Sequence, residues 1–159
     1  MRPSEIPLAK KTCNAPSRCC RRQYWLGAAS AVIPPPAFVK TILIVDDDAV
    51  TARAYKTCLE RDGYEVAVAT DGHTGLDLMQ QLSPDGVLLD LMMPHMGGID
   101  LLKCIRALPH VGNIPVIVYT NAFVPGLVDH AKKAGATDTF SKMTLTPQIL
   151  LHAFQLALK

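Results

Sequence analysis

Five short apolar segments, each followed by a stretch of helical periodicity, predict an α/β fold with a parallel sheet covered by helices on both faces. Turn residues support this reading, because Gly, Pro, Asp or Ser punctuate the joints between segments. A third observation concerns chemistry. Three of the apolar segments finish in a reactive side chain, and sheets of this kind form their sites at the carboxyl ends of strands.

The elements follow in order. TILIV (41–45) reads as a strand buried on both faces. Residues 49–62 are helical, with Ala54, Cys58 and Leu59 on one face and Gly63 as the stop. EVAVA (65–69) is the second strand. Asp71-Gly72 is a turn, and Leu76, Leu78, Met79 and Leu82 line the second helix. After the turn Ser83-Pro84-Asp85-Gly86, VLLD is a strand ending in Asp90. A loop through Pro94 and Gly97-Gly98 leads to a helix with Leu101, Leu102 and Ile105. PVIVYT (115–120) is the fourth strand, 125–134 a short helix stopped by Gly135, and TDTFS the fifth strand. Thr146-Pro147 is a cap followed by a first-turn proline, and the last helix has Ile149, Leu150, Ala153, Phe154 and Leu156 as its apolar face.

Charge divides the chain. The net charge of +2 conceals a basic segment, since residues 1–40 carry seven Lys/Arg against Glu5 alone. The remainder is acidic and offers no nucleic-acid surface. No apolar run reaches the ~18 residues of a membrane span. Residues 1–38 lack a sustained period and end in Pro34-Pro35-Pro36, so they are expected to form a disordered basic tail ahead of a domain at 39–159. Cys13, Cys19 and Cys20 have no histidine in the tail to complete a metal set. RRQYWLGAASAV has the twin arginines and apolar stretch of an export signal. A dangling or wrongly started N-terminus is the blander account. Cys58 and Cys104 read as small core hydrophobes on helices.

The strand ends bring Asp46, Asp47, Asp90 and Thr120 to one edge, and the loop after the fifth strand adds Lys142. Neighbouring strands lie ~4.8 Å apart, so these groups fit one small cleft. Three carboxylates together need a counter-charge, and a hard ion such as Mg²⁺ (or Mn²⁺) prefers oxygen ligands. A carboxylate is also a nucleophile, and phosphoryl transfer needs cations on the transferred oxygens. The Thr120 hydroxyl and Lys142 ammonium suit that work. The chain has neither GxGxxG nor GxxxxGK[ST], so it reads as built to receive a phosphoryl group and not to bind a nucleotide.

ILIVDDD, LLDLMMPHMGG, PVIVYT and GATDTFSK, in that order and spacing, resemble the receiver domain of two-component response regulators over residues 41–159. The resemblance implies a flavodoxin-like doubly wound five-stranded sheet of order 2-1-3-4-5. It implies Asp90 as phosphoacceptor and Asp46, Asp47, Asp90 and the backbone carbonyl of Met92 as the Mg²⁺ set, with Asp46 acting largely through water. Thr120 and Lys142 match the residues that hold the phosphoryl oxygens and signal its arrival. The donor would be a histidine kinase or phosphotransfer protein. The signal would pass to a protein reading the face of the fourth helix, fifth strand and fifth helix, with no direct nucleic-acid or membrane contact. A cytoplasmic stand-alone domain is expected, monomeric or weakly dimeric, that catalyses only its own phosphorylation and slow dephosphorylation. Asp48 matches no invariant ligand and reads as the cap of the first helix.

Departures from the family pattern keep a second reading open, a degenerate receiver that binds a partner without phosphorylation. Met143 stands where the family usually has Pro, and a cis bond there without proline costs ~2.5–4 kcal/mol, so a trans bond or a strained loop is expected. Thr139 occupies the usual place of a switching aromatic, with Phe140 beside it and Tyr119 nearby. Asn121 follows Thr120 where the family has a very small residue, and Gly97 replaces a common acidic residue. A third reading, a phosphatase with an Asp nucleophile, is opposed by Met92, which stands where such enzymes carry a second Asp. Met92 and Ala122 occupy the two family positions that place or block the attacking water, and neither side chain bonds a water strongly. Slow self-hydrolysis is therefore expected. The Met92→Asn, Ala122→Glu double variant should shorten the phosphoryl half-life at Asp90, followed by intact mass over time.

Overall fold

The computed structural model describes residues 39–121 and 126–159. The expected tail and Ala122 lie outside these residues, as does the first residue expected in the fourth helix. Ten elements alternate: β1 (Thr41–Val45), α1 (Ala49–Arg61), β2 (Glu65–Ala69), α2 (Gly72–Leu82), β3 (Gly86–Asp90), α3 (Gly98–Ala107), β4 (Val116–Thr120), α4 (Leu127–Lys133), β5 (Asp138–Ser141) and α5 (Pro147–Ala157). The strands form one parallel sheet of order β2-β1-β3-β4-β5. This is the flavodoxin-like arrangement, with its strand-order reversal between β1 and β3.

Strand parity sorts the core into two layers. Leu43, Val45, Val87, Leu89, Val116 and Val118 face α2, α3 and α4, where Met79, Leu101, Leu102, Ile105 and Ala131 are buried. Ile42, Ile44, Leu88, Ile117 and Tyr119 face α1 and α5, where Tyr55, Leu59, Leu150 and Phe154 are buried. β1, β3 and β4 are the inner strands. β3 and β4 are buried along their whole length, which explains their unbroken apolar runs.

Helix starts follow side-chain capping. Asp48, Asp71 and Thr146 each accept a backbone N–H in the first turn of α1, α2 and α5. Two helix faces differ from expectation. In α1 the buried positions are Ala52, Tyr55 and Leu59, and Ala54 is exposed. Tyr55 is the reason: its ring fills the face while its hydroxyl donates to the Leu145 carbonyl at 2.9 Å, so a nominally polar residue sets the inward side. In α5 only Leu150 and Phe154, one turn apart, are fully buried. Ile149 (41% exposed) and Leu156 (53% exposed) lie at the margins of that narrow stripe. Leu82 at the end of α2 is also exposed, and Cys58 and Cys104 are half-buried.

Two polar or steric devices fix the helix positions. The Arg106 guanidinium, at the end of α3, donates to the carbonyls of Gly112, Ile114 and Gly135 at 2.6–2.9 Å. It thereby joins the α3–β4 loop to the turn after α4. At the other end of α3, Gly98 lies against the end of β3. A Cβ there would stand 2.1 Å from the Asp90 carbonyl oxygen and 2.7 Å from the Leu91 Cα, both backbone atoms that cannot swing away.

Gly98→Ala should therefore destabilise the domain by at least ~1–3 kcal/mol, the usual cost of overpacking. Urea unfolding should show a lower midpoint with an unchanged slope.

Candidate functional site

The sheet register builds the site. Val45 of β1 pairs with Leu89 of β3, so Asp46 and Asp90 come next to each other just beyond. Asp90 pairs with Tyr119, which places Thr120 one residue further along β4. Thr120 pairs with Ser141, and the Lys142 N–H donates to the Thr120 carbonyl at 3.1 Å. The five residues expected at this edge are therefore together. Asp46 and Asp90 are buried, as is Thr120, while Asp47 is exposed at the rim.

Lys142 holds the centre. Its Nζ lies 2.8 Å from Asp46 Oδ2 and 2.6 Å from Asp90 Oδ2. The sequence assigned this ammonium to a phosphoryl group. In the structure it is also the counter-charge of the acidic pair. Asp46 and Asp90 present oxygens within 4.8 Å of each other, a repulsion of about 3–4 kcal/mol at an effective dielectric of ~20. Two ion contacts at shorter range outweigh it. Burial pushes the Asp90 carboxyl above its ordinary value, against the pull of the Lys142 hydrogen bond and charge. Burial opposes the charge on Lys142, yet its bonds to Asp46 and Asp90 win and hold the ammonium above its ordinary value. The ammonium is thus a fixed cation at neutral pH.

Every oxygen of Asp46 is engaged. Oδ1 accepts the Asp48 N–H at 2.9 Å. Oδ2 accepts Lys142 and the hydroxyl of Tyr119. Tyr119 is fully buried, packs edge-on to Tyr55 with centroids 5.5 Å apart, and lies under Lys142, whose Nζ is 4.8 Å from the ring centroid. Burial, then the bond to Asp46, pushes its hydroxyl well above the ordinary tyrosine value, so it is a donor. Tyr119 was considered from sequence only as a neighbouring aromatic. Strand parity gives the signal: it shares the sheet face of Asp46 and Asp90, and a buried tyrosine hydroxyl needs a partner.

The remaining expected residues fall as follows. The Met92 N–H donates to Asp90 Oδ1 at 3.1 Å, and its side chain is 54% exposed. Asn121 is exposed, Thr139 is half-buried, and Phe140 packs on the α1–α5 layer. The Lys142–Met143 bond is trans, and Met143 projects into solvent. Loss of the proline has not displaced Lys142 from the acids. Asp48 accepts the Val50 N–H at 3.0 Å and the Thr51 hydroxyl at 2.6 Å, and it caps α1 as expected.

The donor set fits a hard cation. Asp46, Asp47 and Asp90 each offer an oxygen, all within 4.8 Å of one another. One ammonium cannot balance three carboxylates, so the cleft keeps an excess of negative charge. Oxygen-only ligands of this kind suit Mg²⁺.

A doubly wound sheet with an acidic cleft at the ends of β1 and β3 defines a flavodoxin-like domain with a candidate cation site. Residues 42–155 match the family described as response regulator receiver domain, and the chain belongs to it. DNA-binding response regulator MtrA of Mycobacterium tuberculosis is 42% identical over 79 residues, covering 50% of this chain and 33% of that protein. The chain thus spans about a third of the length of that relative. Polar-differentiation response regulator DivK of Brucella anthropi is 26% identical over 111 residues, covering 70% of this chain and 90% of its own. Among solved structures, a CheY-like receiver domain protein from Methanospirillum hungatei superposes with a TM-score of 0.71 at 30% identity, over 76% of this chain and 94% of the other. Chemotaxis protein CheY4 of Vibrio cholerae gives 0.70 at 28%, over 75% and 98%. No helix among the described residues is long and apolar enough to cross a membrane.

The Asp48 cap has a defined pH signature. Its bonds to Thr51 and Val50 hold the carboxyl below its ordinary 3.8. A depressed acid stabilises the fold above the ordinary value and loses that effect as pH falls through the lowered one. Asp48→Ala should melt at lower temperature than the parent at neutral pH, and the gap should narrow below about pH 4.

Proposed function

We propose that Asp90 accepts a phosphoryl group in a phosphorelay and that the change at Thr120 and Lys142 carries the signal to a partner protein. The observation that supports this most is the Lys142 ammonium on Asp90 Oδ2, inside a cleft of three carboxylates. An oxygen of Asp90 attacks the phosphorus of a phosphohistidine in a histidine kinase or phosphotransfer protein. The P–O bond forms as the P–N bond breaks, and its electron pair returns to the imidazole. Mg²⁺ (or Mn²⁺) bound by Asp46, Asp47, Asp90 and the Met92 carbonyl would offset charge on the transferred oxygens. Lys142 leaves Asp90 Oδ2 for a phosphoryl oxygen, and the Thr120 hydroxyl donates to another. Because Lys142 directly follows β5 and Thr120 ends β4, both movements act on the same sheet edge.

The partner would read the α4–β5–α5 face. Val128 on α4 and Ile149 and Leu156 on α5 are exposed large apolar residues on two of its three elements. Catalysis is confined to the domain's own phosphorylation and slow dephosphorylation, since Met92 supplies no acid or base beside Asp90. The domain works away from membranes and nucleic acid, in the cytoplasm.

Incubation with acetyl phosphate and Mg²⁺ should add the mass of one phosphoryl group. Asp90→Ala should abolish the gain, and Asp47→Ala should abolish the Mg²⁺-dependent phosphorylation. No gain at any donor concentration would favour a phosphorylation-independent binding module instead.

A further inference from the structure

Lys142 is carried by a tight turn between β5 and α5. Within it the Ser141 carbonyl accepts the N–H groups of Thr144 and Leu145 at 3.0 and 2.9 Å. Those bonds shape the turn without tying it to another element. The Lys142 N–H ties its start to β4, through the Thr120 carbonyl at 3.1 Å. Its far end is tied to α1, because the Tyr55 hydroxyl donates to the Leu145 carbonyl at 2.9 Å in a buried bond. Met143, next to Lys142, projects into solvent and adds no packing there. Tyr55 also supports the lysine from below. Its ring meets the Tyr119 ring edge-on with centroids 5.5 Å apart, and the Tyr119 ring lies 4.8 Å beneath the ammonium. One side chain of α1 thus bears on both the backbone that carries Lys142 and the ring under its charge.

We propose that Tyr55 is a positioning residue that holds Lys142 in reach of Asp46 and Asp90 together. Its effect on phosphoryl uptake rests on the function proposed above. A lysine stem is flexible, so a turn that drifts could keep one ion contact by swinging the side chain. Two contacts, at 2.8 Å and 2.6 Å, constrain the base of the stem as well. The two ties of the turn supply that constraint from opposite sides, Thr120 on β4 and Tyr55 on α1. Removing the tyrosine hydroxyl takes a donor from a buried carbonyl and frees the far end of the turn to shift. A misplacement of about 1 Å in a group that serves a reaction can cost roughly 10²-fold in rate, so a single tether three residues from Lys142 is enough to matter.

The test uses the full chain and two readouts. Tyr55→Phe keeps the ring and its edge contact and deletes the donor. Ile117→Val trims the same core layer and removes no hydrogen bond, so it controls for general loosening. The first readout is amide hydrogen exchange by NMR. The Lys142 and Leu145 N–H groups should exchange about three- to tenfold faster in Tyr55→Phe, the size of one hydrogen bond, and at the parent rate in Ile117→Val. The second is the rate of phosphoryl uptake from acetyl phosphate at saturating Mg²⁺, followed by intact mass. Tyr55→Phe should slow it about three- to tenfold, and should slow a Lys142→Gln chain no further, because the effect passes through the ammonium. Unchanged exchange in Tyr55→Phe, or equal acceleration in Ile117→Val, overturns the proposal. Equal slowing of uptake with and without Lys142 overturns it too. A parent that takes no phosphoryl group removes the proposed function instead, and the exchange readout still decides whether Tyr55 holds Lys142.

Discussion

Three carboxylates at the end of one sheet are compatible with a folded chain because Lys142 reaches back across the end of β5 to two of them. Everything else at the edge is arranged around that bridge. The register of β4 on β5 sets the height of Lys142, and its amide is fixed by the Thr120 carbonyl. The register of β1 on β3 brings the two acids side by side. Buried charges survive only when paired and hydrogen-bonded. Asp46 meets that condition with three donors, and Asp90 with the ammonium and the Met92 amide. An anion brought to this edge would compete with both carboxylates for one cation.

The period of two along each strand explains which residues meet. Ile42, Ile44 and then Asp46 share one face of β1, as Leu88 and Asp90 do on β3, and Ile117 and Tyr119 do on β4. The polar network is thus the last layer of the α1–α5 core, still buried at Asp46, Asp90 and Tyr119. That continuity lets Tyr55 and Tyr119, both core residues by burial, act at the edge of a charged cleft.

The fold was legible because its signal is additive. Five buried strands, five helices and their turns each read independently, and a parallel sheet is the arrangement that satisfies all of them. Asp46, Asp47, Asp90, Thr120 and Lys142 were legible because strand ends concentrate them. Contacts made through side-chain length were not. Nothing in the spacing of Lys142 says that it rests on Asp46 as well as on Asp90. The inward side of α1 was misjudged because Tyr55 reads as polar, while its hydroxyl is satisfied 90 positions away at Leu145. The margins of α5 were misjudged because an apolar residue count does not give the width of the buried stripe, and Ile149 and Leu156 fall outside it.

Arg106 has a mechanical consequence. Its guanidinium clamps the carbonyl of Gly135, just past α4, to the loop carbonyls of Gly112 and Ile114. The clamp fixes one end of α4, the end remote from the acidic cleft. A seven-residue helix is about 10 Å long, so a small tilt about that anchor becomes a larger sideways travel at Leu127. The α3–β4 junction would be the fulcrum of such a tilt and α4 its arm. Any tilt about that anchor would move the cleft side of α4 further than the far side.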